Sequence, residues 1–455
     1  MPQVRSPSRT GTARAVTGLA LGLCLSCFSH EAGANGRFPK ADQLVIAPDD
    51  GNFLVARTTF GFLVSQDAGQ NWDWICERAI GYSGVQDPTI GLMPGGTIIA
   101  SLSEGVARST DRGCNWTLSE AALSDSPVID LTVSRGPPHR ALALVWDAQR
   151  VGYSSRILAS ADDGRSFVPY GSPIDEAVLV TTLDTAASNV HRVYASGTRS
   201  VDGVRSAWLF ASNDDGEHWT EHRVPFDPKL EQGVYIAAVD PEDADTLYLR
   251  TSSATVSRLL VSHDGGKQIE AVYSGSLLSF ALSPDGRQLY FGGEDGLHGG
   301  LASDLKFERR SSLRVLCLAA TADTVYACSD EHSGFTVGAS RDGGSTFEPL
   351  LHLKTVRGPL ACSAAECESD WPLVQAQLGI PQKGDSGAGS DANADDAGTG
   401  GDAGNTSPEP PRASTSSCAV GFAQSSSSSA VALTLALLSL SRRRKSRARS
   451  RLPAK

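Results

Sequence analysis

An all-β fold made of seven repeats of a four-stranded unit is what this sequence predicts, on three observations. A turn motif is written six times: Ser109-Thr-Asp111-Arg-Gly113-Cys-Asn115-Trp116 recurs, type for type, as Ser65 to Trp72, Ser160 to Phe167, Ser212 to Trp219, Ser262 to Ile269 and Ser340 to Phe347. The spacing is that of one small sheet per copy. With a shortened copy at Ser303-Asp304-Leu305-Lys306-Phe307 counted, the leading serines are 44, 51, 52, 50, 41 and 37 residues apart, which is the period of a four-stranded propeller blade. Without that copy, 78 residues separate Ser262 from Ser340, a gap that holds two short periods better than one. Composition agrees: 40% apolar residues with 46 glycines and only 2 methionines suit a large all-β core. The prediction is a seven-bladed β-propeller.

The turn has a physical reason in each position. Asp67, Asp111, Asp162, Asp214, Asp264 and Asp342 each follow a strand, where a short carboxylate accepts hydrogen bonds from the N–H groups of the turn. Gly69, Gly113, Gly164, Gly216, Gly266 and Gly344 supply positive φ. The last position, Trp72, Trp116, Phe167, Trp219 or Phe347, with Ile269 as the exception, folds back onto the strands it joins. In the first unit, residues 43–47, 52–58, 61–65 and 73–77 read as four strands with the turn between the third and fourth. Trp116→Ala is therefore expected to cost on the order of 3–5 kcal/mol, and Arg112→Ala almost nothing.

The motif resembles the Asp-box, or BNR, repeat. That resemblance implies a propeller scaffold and carries no residue-level function with it.

Outside the repeats the chain falls into distinct segments. Residues 1–34 carry Arg5, Arg9 and Arg14, an apolar run from 15 to 28 and Ala32-Gly33-Ala34, the layout of a cleaved secretory signal; a transmembrane anchor is the alternative reading. Residues 35–360 are the expected propeller, and 361–380 a short cap in which residues 368–378 show helical spacing. Residues 381–417 are mostly Gly, Ala, Ser, Asp, Asn, Thr and Pro with scarcely a larger apolar side chain, which reads as a flexible acidic linker. Residues 418–455 hold Cys418, an apolar run from 430 to 440 and an arginine cluster from Arg442. This arrangement resembles the C-terminal sorting tail of myxobacterial surface proteins, which implies a processed tail with Cys418 as the anchor; a plain membrane helix is the other reading. Both put the propeller outside the cytoplasmic membrane.

Export sets the expectation for cysteine. Six thiols fall in the globular part, Cys76, Cys114, Cys317, Cys328, Cys362 and Cys367, an even number that points to disulfides. A hairpin with Ala320 opposite Val325 also places Cys317 opposite Cys328. Pairing Cys362 with Cys367 and Cys76 with Cys114 then completes one of fifteen connectivities. No Cys-x-x-Cys lies in this region and the histidines are scattered, so no metal or other cofactor is expected.

Charge excludes one class of partner. The whole chain carries a net −11, and leaving out 1–34 and 442–455 leaves 29 basic against 50 acidic residues, a balance that repels nucleic acid. The remaining classes are a binding scaffold and a glycosidase. The Asp-box resemblance extends to sialidases, and Arg37-Phe38-Pro39 is similar to the Arg-x-Pro sequence that opens them. That family implies a cluster of arginines, a tyrosine and an acid aspartate, for which Arg37, Arg57, Arg250, Tyr248 and Asp240 are the candidates. Seven blades instead resemble the photosystem II assembly factor family and the larger propeller of sortilin-type receptors. A monomeric, non-catalytic scaffold that binds an unidentified protein or glycan, through loops such as 79–88 and 200–205, is the reading carried forward, with a sialidase-like glycoside hydrolase as the alternative.

Overall fold

Among the described residues there are seven antiparallel sheets, each of four strands taken consecutively from the chain. The computed structural model describes residues 37–119, 127–146 and 153–381; the segment 1–34, nearly all of the acidic linker, and the tail with Cys418 lie outside the described residues. Blades 1 to 7 cover residues 41–75, 90–118, 128–169, 178–224, 231–275, 279–311 and 317–351. Their innermost strands, Ala41–Ile46, Ile90–Leu92, Val128–Val133, Val178–Thr185, Glu231–Val239, Ser279–Leu282 and Cys317–Ala320, touch one another in sequence. The seventh touches the first, so the ring is closed.

Burial follows from a blade's position between two others. The middle strands are covered on both faces, so Gly61–Ser65 and Ile98–Leu102 are buried at every residue and read as unbroken apolar runs rather than alternating ones. Outer strands such as Thr117–Leu118 and Val168–Pro169 are exposed. Apolar layers fill the seams; Leu142 and Leu144 of blade 3, for example, share a core cluster with Val178, Val193 and Phe210 of blade 4.

Each repeated turn sits between the third and fourth strands of its blade. In blade 1, Ser65 Oγ donates to Asp67 at 2.8 Å and accepts from Gly69 N at 2.9 Å, while Asp67 accepts from Asn71 N at 2.9 Å. The second Asp67 oxygen accepts from the Asn71 side chain at 2.7 Å. Asn115, Ser166, His218 and Thr346 close on their aspartates in the same way, which gives a reason for the polar residue before the final aromatic. Gln268 contributes only its backbone N–H among these bonds. The shortened copy keeps little of this: Asp304 accepts from Lys306 N, and Leu305 takes φ 52°.

The glycine does more than turn the chain. A Cβ on Gly113, at φ +100°, would lie 2.4 Å from Ile75 of blade 1, and one on Gly344, at φ +89°, 2.4 Å from Leu297 of blade 6. Each turn is thus pressed onto the preceding blade, and only glycine permits that approach.

Two expectations about blade 2 are corrected by the same contact. Trp116 is half-buried, its ring 5.8 Å from Phe62, so less apolar surface is lost on its removal. Arg112, with φ 59°, pairs with Asp50 of blade 1 at 2.9 Å and lies 4.9 Å over the Phe53 ring. It joins two blades, so its removal is expected to cost some stability.

Among the described residues there are three disulfides, and they correct the expected connectivity in part. Cys317–Cys328 spans the first hairpin of blade 7, with the two residues directly opposite. Cys362 is bonded to Cys114 and Cys367 to Cys76, across 248 and 291 residues, in place of Cys362–Cys367 and Cys76–Cys114. The reason lies in the path of the chain after blade 7. Residues 357–360 run along the outer edge of blade 1: Arg357 N donates to Trp72 O, Trp74 N to Gly358 O at 2.7 Å, and Leu360 N to Trp74 O at 2.8 Å. This strap brings Cys362 to the turn of blade 2 and Cys367 to the end of blade 1. Helix α1 (Glu77–Ile80) follows blade 1, and α2 (Ala364–Cys367) and α3 (Trp371–Gln377) complete the strap. Leu360, Val374 and Leu378 are buried by it, and Trp371 lies 5.6 Å from Trp74.

Trp72 is the buried counterpart of Trp116: 1% exposed, its indole N–H donates to Gly69 O and, across the seam, to Leu350 O of blade 7. Trp72→Ala is expected to destabilise the protein by about 3–5 kcal/mol and Trp116→Ala by clearly less, as read from urea midpoints. Equal losses would contradict this account of the seam.

Candidate functional site

A four-stranded meander puts its connections on two faces. The turns joining strands 1 to 2 and 3 to 4 lie on one, and the hairpins joining strands 2 to 3, with the crossings between blades, on the other. Contacts between blades confirm the common orientation. On the first face Gly95 N donates to Asp49 and Arg192 pairs with Asp245 at 2.5 Å. On the second, Arg314 joins Glu294 and Asp330 at 2.6 and 2.7 Å. The repeated turns are all on the first face.

Exposed apolar side chains gather on the second. Phe38, Val85, Tyr153, Val201, Val204, Leu230, Val256 and Leu278 are there, whereas Leu118, Val168, Leu301 and Leu373 lie elsewhere. The residues 79–88 and 200–205 singled out from the sequence share this face. Among the described residues, blade 4 has the longest pair of hairpin strands, Val193–Val201 and Val204–Ser212, of nine residues each. Beside it lies a depression of about 300 Å³ lined by Val204, Ala207, Pro225, Phe226, Arg205 and Arg223 among others.

Toward the axis, the inner strands are sheet edges whose backbone groups need partners. Side chains of the preceding blade supply them. Gln43 donates to Ile90 O and accepts from Ile90 N; Asp130 accepts from Leu183 N at 2.9 Å; Thr182 accepts from Ile236 N at 2.9 Å. Asp184 accepts from Thr132 at 3.2 Å and Thr185 N at 2.8 Å. Burial pushes the Asp130 carboxyl up to about 7, with the nearby Asp184 carboxylate adding to the rise and the bonds from Leu183 and Leu131 opposing it. Burial raises Asp184 as well, against the pull of Arg135.

The residues nominated for sialidase-like chemistry are not brought to one place. Arg37 is paired with Asp87 at 2.6 Å, and Arg57 with Asp42 at 2.9 Å and with the carbonyls of Asp87 and Pro88; both belong to blade 1. Arg250, Tyr248 and Asp240 belong to blade 5. The Arg250 guanidinium lies 4.8 Å over the Tyr235 ring, and burial lowers its pKa. Tyr248 is fully buried, and burial with the Asp240 charge pushes its phenol up to about 12. Asp240 accepts from Glu242 N and Asp243 N within its own turn. Among the turn aspartates, hydrogen bonds from His218 and Thr346 hold Asp214 and Asp342 at about 2. At Asp162 burial opposes, and the bonds from Ser166 and Ser160 outweigh it, again to about 2. These carboxylates are structural acceptors. The inner-edge clamps escaped the sequence because Gln43, Asp130 and Thr182 share no residue type; only their place on the first strand unites them.

No family model matches the sequence, and no curated protein matches it. Several solved structures are similar to parts of it. The GH74 xyloglucanase of Xanthomonas campestris is 14% identical over 68% of this chain and 64% of that one, with a TM-score of 0.35. YCF48 of Cyanidioschyzon merolae is 13% identical over 64% and 92%, at 0.43, and a puromycin-hydrolyzing peptidase of Mycobacterium tuberculosis 12% identical over 70% and 54%, at 0.48. The chain covers less than two thirds of the xyloglucanase.

The Asp130 clamp has a pH signature. An acid whose folded pKa is about 7 against an ordinary 3.8 contributes stability that is full below the lower value and is lost as pH rises through the upper one. The stability of wild type relative to Asp130→Asn should therefore fall between about pH 4 and pH 7 and stay level above. Urea unfolding at stepped pH measures it; a difference that does not change with pH overturns the assignment.

Proposed function

We propose that this chain is an exported, surface-held member of the Asp-box propellers that acts as a non-catalytic binding scaffold. The observation that carries the reading is the concentration of exposed apolar side chains on the face opposite the repeated turns. Apolar surface left in water is where association gains most. Val201, Val204 and Leu230 are each 58–61% exposed; the first two flank the tip of the blade 4 hairpin, and Leu230 lies on the crossing to blade 5. Aliphatic side chains favour a protein ligand over a glycan, whose sugar rings stack on aromatic ones. The disulfides suit an oxidising compartment, in keeping with export.

The arginines of blade 1 point the same way. A site for a substrate carboxylate needs guanidinium groups free to bind it, and Arg37 and Arg57 each already hold an aspartate. The signal at 1–34, the linker at 381–417 and the Cys418 tail supply the address in this reading: export at one end, retention at the other.

The test is a pull-down from envelope extracts with residues 35–380, set against Val204→Asp/Leu230→Asp. Capture of one defined protein by the wild type, with at least tenfold weaker capture by the variant, supports the scaffold. Turnover of fluorogenic sialosides or plant and bacterial glycans by the wild type would replace it with the hydrolase reading.

A further inference from the structure

From the path of the chain after blade 7, we infer that residues 357–381 form a two-step redox latch over the seam that closes the ring. All four strands of every blade come from one stretch of chain, so no strand is shared between blade 7 and blade 1. What crosses from the end of blade 7 onto blades 1 and 2 is the strap. It adds backbone hydrogen bonds to the outer edge of blade 1 through Arg357, Gly358 and Leu360. Arg357 pairs with Asp73, and Arg78 of α1 donates to Ser369 at 2.6 Å and pairs with Asp370 at 3.2 Å. These polar contacts are at the surface and are individually weak. Leu353, Val356, Leu360, Val374 and Leu378 pack into the seam, and the covalent bonds fix the strap there.

The two bonds differ in access. Cys362 is exposed and Cys114 half-buried, whereas Cys76 and Cys367 are 2% and 0% exposed. Thiol–disulfide exchange requires a thiolate to reach a sulfur. A dithiol reductant therefore attacks Cys114–Cys362 first: two electrons and two protons pass to the pair, two thiols form, and the reductant leaves as a cyclic disulfide. Cys76–Cys367 undergoes the same exchange only after the strap has lifted. The third bond, Cys317–Cys328, is buried within one hairpin. It joins two strands of blade 7 and no two blades.

Graded dithiothreitol on the whole mature protein, followed by alkylation and peptide mapping, reads the order of opening. Cys114 and Cys362 are expected to be labelled at the lowest dose and Cys76 and Cys367 next. With the second step, hydrogen exchange should rise at least tenfold in residues 72–80 and 353–381, while residues 193–212 and 247–262 of blades 4 and 5 keep their protection. Replacing Cys114 and Cys362 together by serine should leave Cys76–Cys367 bonded but opened at a lower dose than in the wild type. Labelling of Cys76 and Cys367 before Cys114, exchange that rises through all blades at once, or no rise after both bonds are open would each overturn the latch.

Discussion

A ring of sheets has one seam that the chain does not cross in sequence, and everything else in this structure depends on how that seam is held. A strand shared between the first and last blades would tie it by hydrogen bonds alone. Here the closing element is the strap, fixed to blades 1 and 2 by Cys76–Cys367 and Cys114–Cys362. In the chain-entropy picture a loop of such length is worth roughly 5–6 kcal/mol to close, and the second bond, closing a much shorter additional loop, about 4. Either is a large fraction of the 5–15 kcal/mol that keeps a protein folded. The seam also has an apolar core, because Leu351, Leu353, Val356 and Leu360 share one cluster with Trp72, Trp74 and Ile75.

A repeated device helps to hold the closing seam and every other seam except that between blades 5 and 6. Each turn satisfies its own backbone through serine, aspartate and the polar residue before the aromatic, and its glycine lets it rest on the preceding blade. The inner edge is closed differently, by Gln43, Asp130, Asp184 and Thr182 reaching toward neighbouring strands or side chains. Outer contacts are therefore uniform and inner ones individual. That difference places the raised carboxyls of Asp130 and Asp184 near the axis and the lowered aspartates of the six repeated turns toward the outer side of their blades.

Much of the architecture was legible because it is local. The six turns, the seventh degenerate copy and the Cys317–Cys328 pairing follow from spacing and register within a single hairpin or blade. The other two disulfides were not legible: nearness in sequence favoured Cys362 with Cys367, and only the route of residues 357–360 along blade 1 separates them. Arg112 looked like a free turn residue because its partners, Asp50 and Phe53, belong to another blade. The candidate face was half visible. Residues 79–88 and 200–205 could be named as loops, but that they share a face with Leu230, Val256 and Leu278 follows only from the strand order and the closed ring.

The central claim is that the strap closes the ring, and a comparison of two truncated chains tests it most directly. Residues 37–381 retain the strap and residues 37–352 lack it. Urea unfolding under oxidising conditions should show one cooperative transition for the first, and for the second a lower midpoint with early loss of the signal from Trp72 and Trp74. Superimposable unfolding curves would contradict the claim, and would mean that the apolar seam between blades 7 and 1 holds the ring without its latch.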